Sequence, residues 1–145
     1  RHSFPTRRSS DLGRIIAGAR VSEDGLEFAH TVDCLKKGYS KKQFGLVNTT
    51  LGIVATNAKF NKKEVTKIAQ MSHAGLIKTI TPVHTTFDGD LIFALSMGEI
   101  DADINKVGVL SDFVVCEAVK RAVKKADGFG IVPAFKDISK GWKPA

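Results

Sequence analysis

The chain has 145 residues, which is enough for one domain and leaves little room for two. A hydrophobic share of 43% with a charged share of 26% is the balance of a folded soluble protein and excludes disorder throughout. The net charge is +7, from 22 Lys and Arg against 15 Asp and Glu, and such an excess raises nucleic acid as a partner.

Residues 1–12, centred on Arg7-Arg8-Ser9-Ser10-Asp11, have neither helical nor strand periodicity and too few apolar side chains to join a core. They read as a tail. They also resemble the translation of a common sequencing adapter, which would make them a scar on a truncated gene whose product extends further upstream. A short basic arm is the alternative. The run from Arg14 to Arg20 is β-branched and punctuated by glycine, which suits a strand. Residues 21–43 are polar and Lys-rich, with a turn signal at Ser22-Glu23-Asp24-Gly25, and are expected to form an exposed loop.

Leu51-Gly52-Ile53-Val54-Ala55-Thr56 is short and apolar enough for a buried strand, with Asn57-Ala58-Lys59 as its exit turn. Asn61-Lys62-Lys63-Glu64 has the spacing of a capping box, so a helix starts there. Val65, Ile68, Ala69, Ser72 and Leu76 fall on one face of it, and it should end near Ile80, before Thr81-Pro82. Asp90 to Met97 is the next strand. Its continuous apolar run predicts cover on both faces, and Gly98 should end it. Val107, Leu110, Val114, Val115, Ala118, Ala122 and Val123 then mark a long helical stripe closing at Lys124-Lys125. The last segment, Phe129 to Ala145, reads as loop. Strand, helix, strand, helix is α/β organisation.

No apolar run reaches the roughly 18 residues of a membrane span, and the Arg-rich start lacks the apolar centre of a signal peptide. The chain therefore reads as cytoplasmic. Cys34 and Cys116 match no metal-ligand spacing and are expected to be reduced, partly buried thiols.

Three polar features sit at strand boundaries: Asn48-Thr49-Thr50, His84 after Pro82, and Phe87-Asp88-Gly89-Asp90. Taken singly, each has a plain structural reading. Asp-Gly-Asp is a common turn, and Asn-Thr-Thr is a polar lead-in to a strand. His84 with Asp88 and Asp90 lacks a fixed metal-ligand spacing, and His73 and His30 read as structural. No metal and no cofactor is expected.

Together these motifs resemble the L-aminopeptidase/D-esterase family, which includes β-peptidyl aminopeptidases and nylon-oligomer hydrolases. The resemblance runs from about Gly13 to Phe135. It rests on the Arg14–Arg20 run, on Asn48 through Ala58, on Pro82-Val83-His84-Thr85, and on Phe87-Asp88-Gly89-Asp90 leading into Ile92-Phe93-Ala94-Leu95. It implies a precursor that cuts itself between Asn48 and Thr49. Residues 13–48 would then end a large chain and residues 49–145 would form a small one. Thr49 matches the family's nucleophile, and Asp88 and Asp90 match the acidic pair around it. The implied fold is a four-layer αββα sandwich made by both chains, with oligomers typical. The substrates would be short peptides or amides with a free amino end.

The chemistry is coherent. A threonine hydroxyl needs a base at neutral pH, and a freed α-amino group with a pKa of about 7.7 to 8.0 can serve as one. In extended chain, positions 88 and 90 point the same way, so both carboxylates can face Thr49, and two close carboxylates disfavour full ionisation of both. A glycine at position 89 allows close backbone approach. The family's large chain supplies further catalytic groups, including a lysine and an asparagine, that are assignable to no residue here. This length of chain alone is therefore expected to be inactive.

Two other functions compete with this one. An acyl transferase of the ornithine acetyltransferase type shares the self-cutting threonine. A basic nucleic-acid-binding domain would use the positive charge. That charge is spread thin, however: three Arg against one Asp in residues 1–12, six basic against four acidic in 13–48, and thirteen against ten in 49–145. Stacking side chains are also scarce, with one Trp and one Tyr.

Overall fold

The structure is a computed structural model that describes residues 8–11, 14–22, 25–38, 49–86, 88–129 and 133–138. The described elements are β1 (Arg8–Asp11), β2 (Arg14–Gly18), α1 (Thr31–Lys36), β3 (Leu51–Ala58), α2 (Lys62–Thr79), β4 (Ile80–Thr81), β5 (Leu91–Ile100), α3 (Ile104–Lys125) and α4 (Phe135–Ile138). The architecture is mixed α/β. No helix of the described residues is long and apolar enough to cross a membrane.

β3 and β5 pair in parallel from Leu51↔Leu91 to Thr56↔Ser96, and α2 makes the crossover between them. Asn61 caps α2 as its spacing predicts. The Asn61 side chain accepts the amides of Lys63 and Glu64, and the Glu64 carboxylate accepts the Asn61 amide. Ile68, Ser72 and Leu76 are buried on the expected face. α2 ends at Thr79, and the chain passes directly into β4 and a cis Thr81-Pro82 peptide.

α3 packs along α2 by a seam of small residues. The Ser72 hydroxyl donates to Ile68 O and contacts the Ser111 hydroxyl at 2.8 Å, and Ser111 in turn bonds Gly108 O. The buried face of α3 is Gly108, Ser111 and Val115. The predicted stripe is thus only partly right: Leu110, Val114, Ala118 and Ala122 are exposed. α3 is apolar on two sides, and the small side chains decided which one meets α2.

β5 also departs from expectation. It runs through Gly98 to Ile100, because the register shifts around Asn57 and brings that residue's backbone against Gly98. A Cβ at position 98 would lie 1.5 Å from Asn57 O. Among the described residues the sheet is covered on one face only. Val54 and Ile92 face the core formed with Ile68, Leu76, Ile80 and Val115, and Ala58 is buried, whereas Leu51, Ile53, Leu91, Phe93, Leu95 and Met97 are exposed on the strands.

A second sheet has the order β2-β1-β4, antiparallel throughout. Arg8–Asp11, expected to be tail, is its central strand. Strand pairing uses main-chain groups on both edges, which a search for apolar alternation does not register. Part of the expected 21–43 loop is also ordered. An Arg20↔Phe28 bridge precedes α1, and Ala29 and Thr31 are buried. In the closing segment, Asp137 accepts the Ala134 amide at the start of the short α4. Cys34 and Cys116 are free and half-buried.

Candidate functional site

Thr49 stands two residues before β3, and Gly89 stands two residues before β5. Because the strands are parallel and begin level, their leading ends lie side by side. The ladder extends one step beyond the strands, with the Leu91 amide donating to Thr50 O at 2.9 Å. Thr49 is thereby brought against Gly89: a Cβ at position 89 would lie 2.9 Å from Thr49 Oγ1. The close approach anticipated at Gly89 is to the threonine side chain. Thr49 itself is exposed.

The two aspartates take different partners. Asp90 Oδ1 accepts the Thr50 amide at 2.9 Å, and its side chain is 1% exposed. Asp88 Oδ2 accepts both the Thr85 amide at 2.9 Å and the Thr85 hydroxyl at 2.7 Å, while the Asp88 amide donates back to Thr85 O. Asp88 therefore closes a turn, and Asp90 reaches across to the chain that carries Thr49. Regular strand starts only at Leu91, so the alternation assumed for positions 88 and 90 does not govern them. Asn48 and Phe87 lie outside the described residues.

His84 belongs to this cluster, and so does His73. The His84 Nδ1 lies 3.5 Å from Asp90 Oδ2, and its Nε2 lies 3.3 Å from His73 Nδ1 on α2. The two rings are 4.9 Å apart between centroids and tilted by 54°. His84 has φ of 56°, the left-handed region that disfavours a residue with a Cβ. Burial, and next the neighbouring His84, hold the His73 imidazole below its ordinary value of 6.5, against an opposing pull from Asp90. The structural reading of His73 is incomplete, since nothing in its helical spacing reveals that it meets His84. Among the described residues no three His, Cys, Asp or Glu form a group suited to a metal ion.

Comparison with known proteins returns one family over most of this chain. The family model of peptidase family S58 matches residues 10–131. An uncharacterized aminopeptidase of Mycobacterium leprae is 32% identical over 110 residues, covering 66% of this chain and 30% of the relative. A 6-aminohexanoate-oligomer endohydrolase of a Kocuria species is 29% identical over 90 residues, covering 53% of this chain and 25% of the relative. One of the same name from Paenarthrobacter ureafaciens is 37% identical over 54 residues, or 37% of this chain and 15% of the relative. The chain thus spans less than a third of the length of these relatives.

Proposed function

The chain belongs to peptidase family S58, and from that premise we propose that it is the nucleophile-bearing part of a self-cutting amide hydrolase. Thr49 is the nucleophile. In the precursor its hydroxyl attacks the Asn48 carbonyl, the C–N bond breaks, and the acyl group passes to oxygen as an ester. Water opens the ester, leaving a carboxylate on Asn48 and a free amine on Thr49. That amine then takes the hydroxyl proton as the oxygen attacks a substrate amide, and passes it to the departing amine. Water releases the acyl group and restores the hydroxyl.

The observation that carries this reading is the Thr49 hydroxyl seated against Gly89 at the head of two parallel strands, with the next amide tied to Asp90. Asp90 fixes the Thr49–Thr50 peptide plane, and Asp88 shapes the turn that delivers Asp90. Relatives named as aminopeptidases and oligomer endohydrolases support short amides as substrates and water as the acyl acceptor. The bare apolar face of the β3–β5 sheet supports a second sheet layer contributed by the rest of the precursor, as an αββα sandwich requires.

Intact mass spectrometry of the complete precursor tests the assignment. The native protein should yield a chain beginning at Thr49. Thr49→Ala should remain whole and lose about 10³-fold or more in turnover, and Thr49→Ser should cut. Normal cutting by the alanine form would refute it. Turnover that occurs only with an added amine acceptor would replace hydrolysis by acyl transfer.

A further inference from the structure

The Asp90 carboxylate is almost wholly enclosed, at 1% exposure, and its two oxygens face different ways. Oδ1 holds the Thr50 amide, and Oδ2 faces the His84 imidazole. A buried carboxylate is tolerated when it is hydrogen-bonded or paired, so what stands at Oδ2 governs how firmly Oδ1 holds its amide. We propose that His84 is a positioning residue for Asp90, holding the carboxylate against the Thr50 amide, and that His73 sets which His84 nitrogen carries the proton.

Three observations converge on this. The contacts form one line, His73 Nδ1 to His84 Nε2 at 3.3 Å, His84 Nδ1 to Asp90 Oδ2 at 3.5 Å, and Asp90 Oδ1 to the Thr50 amide at 2.9 Å. Thr50 is the residue bonded to Thr49, so the line ends one peptide plane from the nucleophile. His84 also keeps a left-handed backbone that a residue with a Cβ rarely adopts, the kind of local strain that accumulates where a side chain must be aimed. Finally, the second ring nitrogen is engaged from another element, which is how proteins fix a histidine tautomer. The inference rests on Thr49 being the nucleophile.

Self-cutting of the complete precursor needs no added substrate and serves as the readout. His84→Gly keeps the backbone at ease and removes the imidazole. His84→Asn tolerates the same φ and keeps a donor near the Nδ1 position. His84→Gly should cut about 10- to 100-fold more slowly, with thermal melting little changed, and His84→Asn should recover to within about threefold of native. A structural role alone would give no such recovery. Cutting by His84→Gly at the native rate overturns the proposal, as does His84→Asn as slow as His84→Gly. Should these variants not fold, ¹⁵N spectra of the native histidines decide: a proton on His84 Nδ1 supports the pairing, and an unprotonated Nδ1 overturns it. Thr49→Ala run alongside separates the premise: if it cuts, the nucleophile assignment falls; if it stays whole while His84→Gly cuts normally, only the role of His84 falls.

Discussion

At position 89 the space for a side chain is already taken by the Thr49 hydroxyl. With Thr49 as the proposed nucleophile, Gly89→Ala should turn it into another rotamer and slow the proposed self-cutting by roughly 10- to 100-fold, since displacement of a reacting atom by about 1 Å is enough for that. Stability should change little, because both residues lie ahead of the strands. Unimpaired cutting in Gly89→Ala would show that the observed Thr49 side-chain position is not the reactive one. His73 gives a prediction in pH. Its imidazole is held below 6.5 in the folded state, so the unfolded chain binds that proton more readily. This contribution is present in full above about pH 6.5 and is lost as the pH falls through that value toward the folded one. The neighbouring His84 and Asp90 act on it in opposite directions. Replacing His73 by Gln should reduce the loss of urea resistance between about pH 7.5 and 5.5, read from denaturation midpoints. An identical loss in the variant would assign it to other groups. At this scale the sequence disclosed the chemical types but not their pairing. Thr49, Asp88, Asp90 and His84 all stood at predicted strand boundaries, yet only the turn at Thr85 sends Asp88 one way and Asp90 the other. His73 reaches His84 through a helix packing that its own spacing does not encode.

α2 was the most legible element, because its start is written locally in Asn61 and Glu64 and its end in Thr81-Pro82. Asn61→Ala removes the acceptor of two amides and should cost about 0.5–2 kcal/mol, measured by urea denaturation, with the site geometry kept. A loss near zero would mean that water serves the cap equally well. α3 was legible in extent but not in orientation. Its residues Val109, Leu110, Phe113 and Val114 are as apolar as those it buries, so hydropathy alone favours no side. The choice falls to Ser111 and Gly108, whose small size lets α2 approach. β5 runs longer than its sequence suggests, because glycine ordinarily punctuates a strand; here Gly98 is what lets the strand continue past the register shift at Asn57. β1 leaves no signal in the side-chain pattern, since its pairing with β2 and β4 is a main-chain matter.

For the molecule as a whole, the β3–β5 sheet leaves a contiguous row of apolar side chains outward, with Ile53 70% and Phe93 51% exposed. Apolar patches on this scale mark an interface or a liability to aggregate. The continuous apolar run of β5 predicts cover on two faces, and among the described residues only one of those faces is covered. Ile53→Thr with Phe93→Thr should make the 145-residue chain more soluble and lower its binding of a hydrophobic dye. In the longer precursor proposed above the same pair should instead destabilise, by an amount on the order of 2–5 kcal/mol if the face is buried there. Equal behaviour in both settings would mean that the face stays open to water. The position of the site is also unusual. Open α/β sheets commonly bind ligands at the carboxyl ends of their strands, whereas Thr49 and Gly89 lie at the amino ends of β3 and β5.

Thr50 is moored through both of its main-chain groups, the amide to Asp90 and the carbonyl to Leu91. Were the link ahead of Thr49 opened, a single residue would gain freedom, and the newborn terminus would be leashed where it was made rather than fraying into solvent. The search for a productive pose would then span a few rotamers of one side chain, so scission would cost the catalyst almost no order.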